Sequence, residues 1–330
     1  MASSTTIAAT ENIPPVRSEG QWQIVIRRFR KHKIAVFSLF VLFALLTISA
    51  LAPVIAPFDR DRPVTAVSYT KPFTVDKQGN FRLLGTDHLG RDFTTRLLYA
   101  SRTSLGTALI ASLIASTIGV TLGMLAGYFG GWVDTLISRA LEIIATFPLL
   151  LLLLIMSAIL TQNINSIPLP DWFVSLMAGI FAVPEREARI IFAVIMVLSL
   201  FGWTGTARLM RGMVLSVREN IYIEASRALG ASSGRILWRH VFPNALPPMI
   251  VDFTLAVNAT LVAESALSFL GFGIQNPTPT WGNMLSAAQS YMFQHPWMPL
   301  IPAVPILICS IAINYIGDGL RDALDPRQRG

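Results

Sequence analysis

Six stretches of the chain, residues 34–56, 103–127, 136–160, 190–210, 248–272 and 299–316, are apolar over about the 20 residues that an α-helix needs to cross a bilayer. Backbone amides in hydrocarbon find no water, so a single segment of that length satisfies itself only as a helix. The expected fold is therefore all-α and polytopic, with six transmembrane helices and both ends on one side. Composition agrees: 53% of the 330 residues are hydrophobic and 14% are charged, more apolar surface than one soluble core needs.

A net charge of +7 would suit a nucleic-acid binder. The basic residues, however, lie in loops beside the apolar runs, where orientation signals and membrane lipid account for them, and no nucleic-acid partner is expected. The single cysteine, Cys309, sits inside the last apolar run, which rules out a disulfide framework or a cysteine-based metal site within the chain. The first run is too long, and begins too late, for a cleaved signal peptide, so it is expected to remain as an anchor.

Orientation is read from lysine and arginine. Arg17, Arg27, Arg28, Arg30, Lys31 and Lys33 precede the first run, Arg208, Arg211, Arg218, Arg227, Arg235 and Arg239 follow the fourth, and Arg321, Arg327 and Arg329 follow the sixth. All three groups are expected in the cytosol, and with Arg139 they hold sixteen of the 26 basic residues. Residues 58–102 run against this rule, with eight basic residues against five aspartates. Between the third and fourth runs lies WFVSLMAGIFA, 172–182, fenced by Pro168, Pro170 and Pro184. Eleven residues are too few to cross, so a helix on the outer surface or over a pathway mouth is expected.

Within the second run, Ala111, Ala115, Gly119, Gly123 and Gly127 recur every four residues and line one helix face, a seam for close packing. A seam that slides during gating is the alternative reading. Pro148 is expected to kink the third run, and Arg139 with Glu142 to pair on its surface. In the fifth run Thr260, Glu264 and Ser268 share a face, with Asn258 nearby. A carboxyl group at that depth marks either a solute route or an interhelical hydrogen bond.

The segment 222–248, YIEASRALGASSGRILWRHVFPNALPP, is polar and basic between two spans. Good helix formers run from 221 to 229, Gly230 suits a left-handed helix end, and Ser232 can cap a second helix carrying Ile236, Leu237, Trp238 and Val241. Ala225, Ser226 and Ala228 keep the first helix slender beyond Tyr222, and Glu224 and Arg227 place opposite charges at its rim. Such a helix fits a partner's groove; an amphipathic hairpin resting on headgroups is the alternative.

The run EASRALGASSGRILWRHVFPNALPP resembles the EAA loop of binding-protein-dependent ABC importer permeases, the type I importer fold. Its glutamate, small pair, glycine and proline fall on Glu224, Ala225, Ser226, Gly230 and Pro243. LLGTDHLGRDFTTRLLYASRTSL at 83–105, ALSFLGFGIQNPTPTWGNML at 266–285 and NYIGDGLRDALDPR at 314–327 resemble the C-type inner-membrane subunit of dipeptide, oligopeptide and nickel importers. Ser226 departs from the second alanine, His240 and Phe242 from aliphatic positions, and residues 59–82 and 161–187 are longer than in ordinary members.

The resemblance implies a cytosolic tail at 1–33, a first transmembrane helix at 34–57 and an extracytoplasmic segment at 58–102. A permease core follows at 103–317, with the EAA coupling loop at 211–247, and then a cytosolic tail at 318–330. It further implies a second homologous permease, two cytosolic ABC ATPases, an extracytoplasmic solute-binding protein and a bacterial or archaeal cytoplasmic membrane. Cargo is expected to be a di- or oligopeptide, with nickel or oligosaccharide as alternatives. Tyr222, Glu224, Ala225, Ser226, Arg227, Ala228, Gly230 and Pro243 are then the ATPase-coupling residues, and Asn258, Thr260, Glu264 and Ser268 candidates for the translocation pathway.

No G-x-x-x-x-G-K-[ST] phosphate loop occurs, so ATP and its magnesium are expected on partner subunits and the chain is not expected to be an enzyme. His32, His88, His240 and His295 are scattered, and in GTDHLGRD turn and capping roles explain Asp87, His88 and Asp92 better than a metal does. An ion-coupled carrier would need several buried charges and inverted repeats, for which Glu264 alone is thin support.

Overall fold

In the computed structural model the described residues are 21–63, 68–76 and 79–324. Arg17, Lys77, Arg327 and Arg329 lie outside them, as do most of the N-terminal tail and the last residues of the C-terminal one. The chain starts with helix α1 (Gln21–Lys31), breaks at His32, and enters α2 (Lys33–Ala50) and a short α3 (Ala52–Ile55). A two-stranded antiparallel hairpin follows, β1 (Thr74–Val75) against β2 (Phe81–Arg82). Then come α4 (Phe93–Phe129), α5 (Gly131–Thr146), α6 (Leu149–Gln162), α7 (Asp171–Phe181) and α8 (Glu185–Arg218). After α9 (Ile221–Ala228) and α10 (Ser233–Ile236) the chain runs into α11 (Phe242–Phe269), α12 (Trp281–Gln289) and α13 (Trp297–Leu324).

Among the described residues five helices are long and apolar enough to cross a bilayer, and the pair α5–α6 makes a sixth span if its two halves are counted together. That pair corrects the expectation of one kinked third span: the helix breaks outright at Phe147 and Pro148, with a bend of 92°. The residue before a proline is pushed to extended backbone, and Phe147 has ψ 143°. Proline can offer no amide to continue the ladder, so α6 restarts with Pro148 as its N-cap.

Contacts between helices determine whether the broken pair still crosses. Helices α4 and α8, with about 55 and 51 Å of length at 1.5 Å per residue, run side by side and in the same direction. Ser199 Oγ donates to the Ala111 carbonyl at 3.2 Å, Gly119 meets Trp203 and Thr206, Gly123 meets Ala207 and Met210, and Gly127 meets Arg211 and Val214. Two parallel spans need a return crossing between them. The pair α5–α6 supplies it, because Leu141 packs with Trp203 and Ala207, Leu153 with Val194 and Leu198, and Ser157 Oγ donates to the Phe272 carbonyl.

The remaining spans alternate. Ser112 Oγ on α4 donates to Ala256 on α11 at 3.3 Å, and Met124 near the far end of α4 clusters with Ala245 and Met249, so α11 returns antiparallel to α4. Asn258 on α11 reaches Asn314 on α13 at 3.2 Å while Gly317 abuts Thr254, so α13 is antiparallel to α11. Gly319 lies against Ala35, which sets α2 antiparallel to α13. Six crossings result, with the start of α2 and the end of α13 on the face that carries α9. The expected small-residue seam is the α4–α8 contact, all five of its residues buried.

The opposite face holds the β-hairpin, α7 and α12, and explains its surplus of basic residues. Arg82, Arg91 and Arg96 are at most 5% exposed and Arg60 is 9% exposed, each spent on acids: Arg82 on Asp76 and Asp92, Arg91 on Asp87, Arg96 on Asp61, and Arg60 on Asp61 and Glu187. Arg82, Arg91 and Arg96 are held by acids of the same segment and Arg60 joins it to the start of α8 through Glu187, so these four are engaged in packing rather than in setting orientation. Asp92 also caps α4 by accepting from the Thr95 amide at 2.8 Å, and Asp87 accepts from the amides of Leu89 and Arg91, both at 2.9 Å. These are the turn and capping roles expected for GTDHLGRD. Helix α7 buries Val174, Met177 and Phe181 and leaves Trp172 and Leu176 exposed, as an eleven-residue helix on the surface should.

Candidate functional site

Helix α9 begins at Asn220, and its one fully buried side chain, Ile223, enters a cluster with Met124, Met210, Val214, Ile236 and Val241. That cluster seats the helix on the ends of α4 and α8. Gly230, at φ +79°, closes it: the Gly230 amide donates to Arg227 at 2.9 Å and the Ala231 amide to Ser226 at 3.0 Å, satisfying carbonyls the helix end would otherwise leave open. Ser232 then accepts from the Arg235 amide at 3.4 Å. Both caps stand where the sequence placed them.

The outward side of α9 presents Glu224, Ala225, Arg227, Ala228, Leu229 and Gly230, all exposed. Ser226 is half-buried and turns its hydroxyl to the Tyr222 carbonyl at 2.7 Å. Arg227 lies 5.2 Å from the centre of the Tyr128 ring, a cation–π contact that ties α9 to the end of α4. Tyr222 faces the second arm, its hydroxyl 3.4 Å from Asn244 Nδ2 and its ring 6.1 Å from His240. Three large apolar side chains stand in the open around these charges: Ile221 at 83%, Leu229 at 88% and Trp238 at 65% exposure. Large apolar side chains left open beside charged groups on one hairpin suit a surface that a partner covers.

The second arm differs from the separate helix expected. Beyond α10 the chain makes a π-helical turn, Leu237–Val241, and passes directly into α11, so this arm and the fifth span are one continuous rod. Pro243 supplies the reason. Its ring excludes the usual i−4 bond one turn back, and the ladder widens just before it, with the Phe242 amide donating to Leu237.

Of the four pathway candidates, the structure brings Glu264 and Ser268 together and separates them from the other two. Glu264 is fully buried and accepts from Ser268 Oγ at 2.7 Å, among the hydroxyls of Ser104, Ser265 and Thr280. Ser268 in turn accepts from the Ile274 amide at 3.1 Å, so this pocket holds the loop after α11 against α4. Asn258 pairs with Asn314, and Thr260 is half-buried one turn before Glu264 on α11. The sequence reading missed Asp252, also on α11, which accepts from Thr206 on α8 at 2.6 Å. A second carboxylate within the 248–272 run, about three turns before Glu264, was the available signal. A side groove of about 350 Å³ between α4 and α11 is lined by Thr117, Thr121, Trp238, Phe242 and Phe253.

On the opposite face His88 stacks on Tyr291 at 5.7 Å and Tyr69 on His295 at 4.5 Å. Burial, reinforced by Arg91 and Arg96 and opposed by Asp87, holds the His88 imidazole below its ordinary range. Burial also pushes the Tyr69 phenol up to about 12. Arg139 and Glu142 pair at 2.6 Å on the surface of α5, as expected, with both side chains more than half exposed.

Comparison with known proteins places these features. Residues 119–330 match the family model of the binding-protein-dependent transport system inner membrane component, and residues 20–72 match that of the N-terminal TM domain of oligopeptide transport permease C. The dipeptide transport system permease protein of Alkalihalophilus pseudofirmus is 34% identical over 96% of this chain and 95% of its own length. The glutathione transport system permease protein of Shigella flexneri is 35% identical over 96% of this chain and 94% of its own. Among solved structures, a crystal structure of an amino acid ABC transporter covers 68% of this chain and 92% of its own at 15% identity and a TM-score of 0.47.

Proposed function

Since the chain belongs to the family of binding-protein-dependent transport system inner membrane components, the permease subunits of ABC importers, we propose that it forms half of a membrane route for short peptides and is driven through α9. Peptide cargo is favoured by its similarity to dipeptide and glutathione permeases. The chain is a non-catalytic, multi-pass inner-membrane subunit that works with ATPase subunits and a binding protein. Our finer reading is a second homologous permease, two ATPases holding ATP and magnesium, and one extracytoplasmic binding protein. In that reading the α9 face and both termini lie in the cytosol.

The observation that carries the reading is α9 itself: a slender, glycine-closed helix with exposed Ile221, Leu229 and Glu224, standing on the ends of two spans and joined end to end with a third. A push on it acts on α4 and α8 through the Ile223 cluster and on α11 through the continuous second arm. Close-packed interiors transmit such a displacement rather than absorb it. ATP moves the spans only if the ATPases bind the two states of this hairpin unequally. Asn258 and Thr260 are proposed to face the solute route, with Glu264 and Ser268 holding the helix that carries them.

Replacing Gly230 by valine forces a β-branched residue into left-handed backbone, and Glu224→Ala removes the rim charge. Both variants are expected to insert normally and to lose most ATP-driven peptide uptake in vesicles holding the partner subunits and the binding protein. Wild-type uptake by both would overturn the assignment.

A further inference from the structure

The N-terminal elbow, α1 and the start of α2, takes no part in that coupling. Lys33, Phe37 and Phe40 fall on one side of α2, with the two phenylalanines 67% and 68% exposed. The buried residues Ala35 and Ser38 lie roughly 140–200° away around the helix. That buried side rests on α13, where Gly319 leaves room for Ala35, Phe29 and His32. Phe43 at 67% extends the open column one turn further. A membrane subunit with an aromatic column this exposed on a peripheral helix meets acyl chains there.

Lys33 heads the column, and Arg30 and Lys31 end α1 just before the break that leads into it. Arg30, Lys31 and Lys33 are exposed and enter no ion pair among the described residues, and Arg27 and Arg28 lie one turn further back. Neither of the acids at this end of α13 pairs with Arg30, Lys31 or Lys33: Asp322 lies 3.8 Å from His32 Nε2, and Asp318 forms no ion pair with any of the three. Ala35, Phe29 and His32 hold the elbow on α13, which leaves Lys33 one turn before Phe37 at the head of the column.

We propose that this elbow is a binding site for an anionic phospholipid, whose headgroup contacts Arg30, Lys31 and Lys33 while its acyl chains lie along Phe37 and Phe40. A zwitterionic headgroup brings no net charge to three unneutralised cations, whereas an anionic one is favoured roughly fivefold per cation at the membrane surface. Attraction of this kind weakens once salt shortens the screening length to a few ångströms.

The chain, with its natural partner subunits, is reconstituted in vesicles of phosphatidylcholine and phosphatidylglycerol and extracted gently, and the lipids it retains are counted by native mass spectrometry. Phosphatidylglycerol should be retained above its bulk share, and less so at molar salt. The R30Q/K31Q/K33Q variant should lose about tenfold or more of that enrichment. K33Q alone should lose about fivefold, so the test survives if the triple variant inserts poorly. Charge-conserving R30K/K31R/K33R should keep the enrichment, and R186Q on the opposite face should leave it unchanged. Wild-type enrichment in K33Q, or an equal loss in R186Q, would overturn the site.

Discussion

The seam between α4 and α8 allows one substitution to be predicted with opposite signs at two positions. A methyl group added at Gly123 would lie 2.5 Å from the Ala207 carbonyl oxygen, 2.8 Å from Met210 Cβ and 3.1 Å from the Arg211 amide nitrogen. Two of those atoms are backbone and cannot rotate away. Restoring ordinary contact at about 3.4 Å moves the helices apart by roughly 0.9 Å, and the parallel seam resists along its whole length. Overpacking of this size costs about 1–3 kcal/mol. At Gly212, on the partner helix α8, a methyl group meets nothing within 4 Å. There, glycine to alanine only removes backbone freedom from the unfolded chain and stabilises by about 0.5–1 kcal/mol. Gly123→Ala and Gly212→Ala should therefore differ by about 1.5–4 kcal/mol in the detergent-solubilised chain, measured by denaturant titration with helix content as readout. Equal stabilities for the two variants would show that α4 and α8 are not packed as described.

Arg82→Ala removes a fully buried guanidinium that serves Asp76 and Asp92 and covers the Phe58 ring at 3.9 Å, leaving two carboxylates buried without it. A loss of about 3–5 kcal/mol is expected, partly recovered by adding D76N/D92N; a loss near zero in the same titration would show that the cap is not held by this pair. His88 is held below its ordinary 6.5 by burial, so the unfolded chain binds its proton first. Stability should rise with pH through the window below 6.5 and level off above it, and melting curves of His88→Asn, with Asp87, Arg91 and Arg96 intact, should lose that part of the slope.

What could be read in the residues was local. Pro148 and Gly230 act through their own backbone, Ser232 through a hydroxyl that reaches only three residues on, and the five small residues at four-residue spacing mark a helix face whatever it meets. The size of the break at Pro148 was not local, because a free helix end is tolerated only where neighbouring spans accept it. The charge of residues 58–102 misled for a related reason. A count of arginines cannot distinguish those in water from Arg60, Arg82, Arg91 and Arg96, which are neutralised by acids brought close in the fold. Glu264 shows the same division, since its depth was evident and its enclosure by Ser104, Ser265, Ser268 and Thr280 depends on three separate segments.

The sequence alone therefore determined that this chain crosses a membrane about six times and offers a capped helical hairpin between spans, since hydropathy, helix length and cap chemistry are properties of neighbouring residues. Only the tertiary structure decided that α4 and α8 run parallel, that the broken α5–α6 pair still returns the chain between them, and that the hairpin's second arm is the start of α11. Those outcomes depend on which faces meet across the fold, and a contact such as Gly123 against the Ala207 carbonyl joins residues too far apart in the chain for any local pattern to specify.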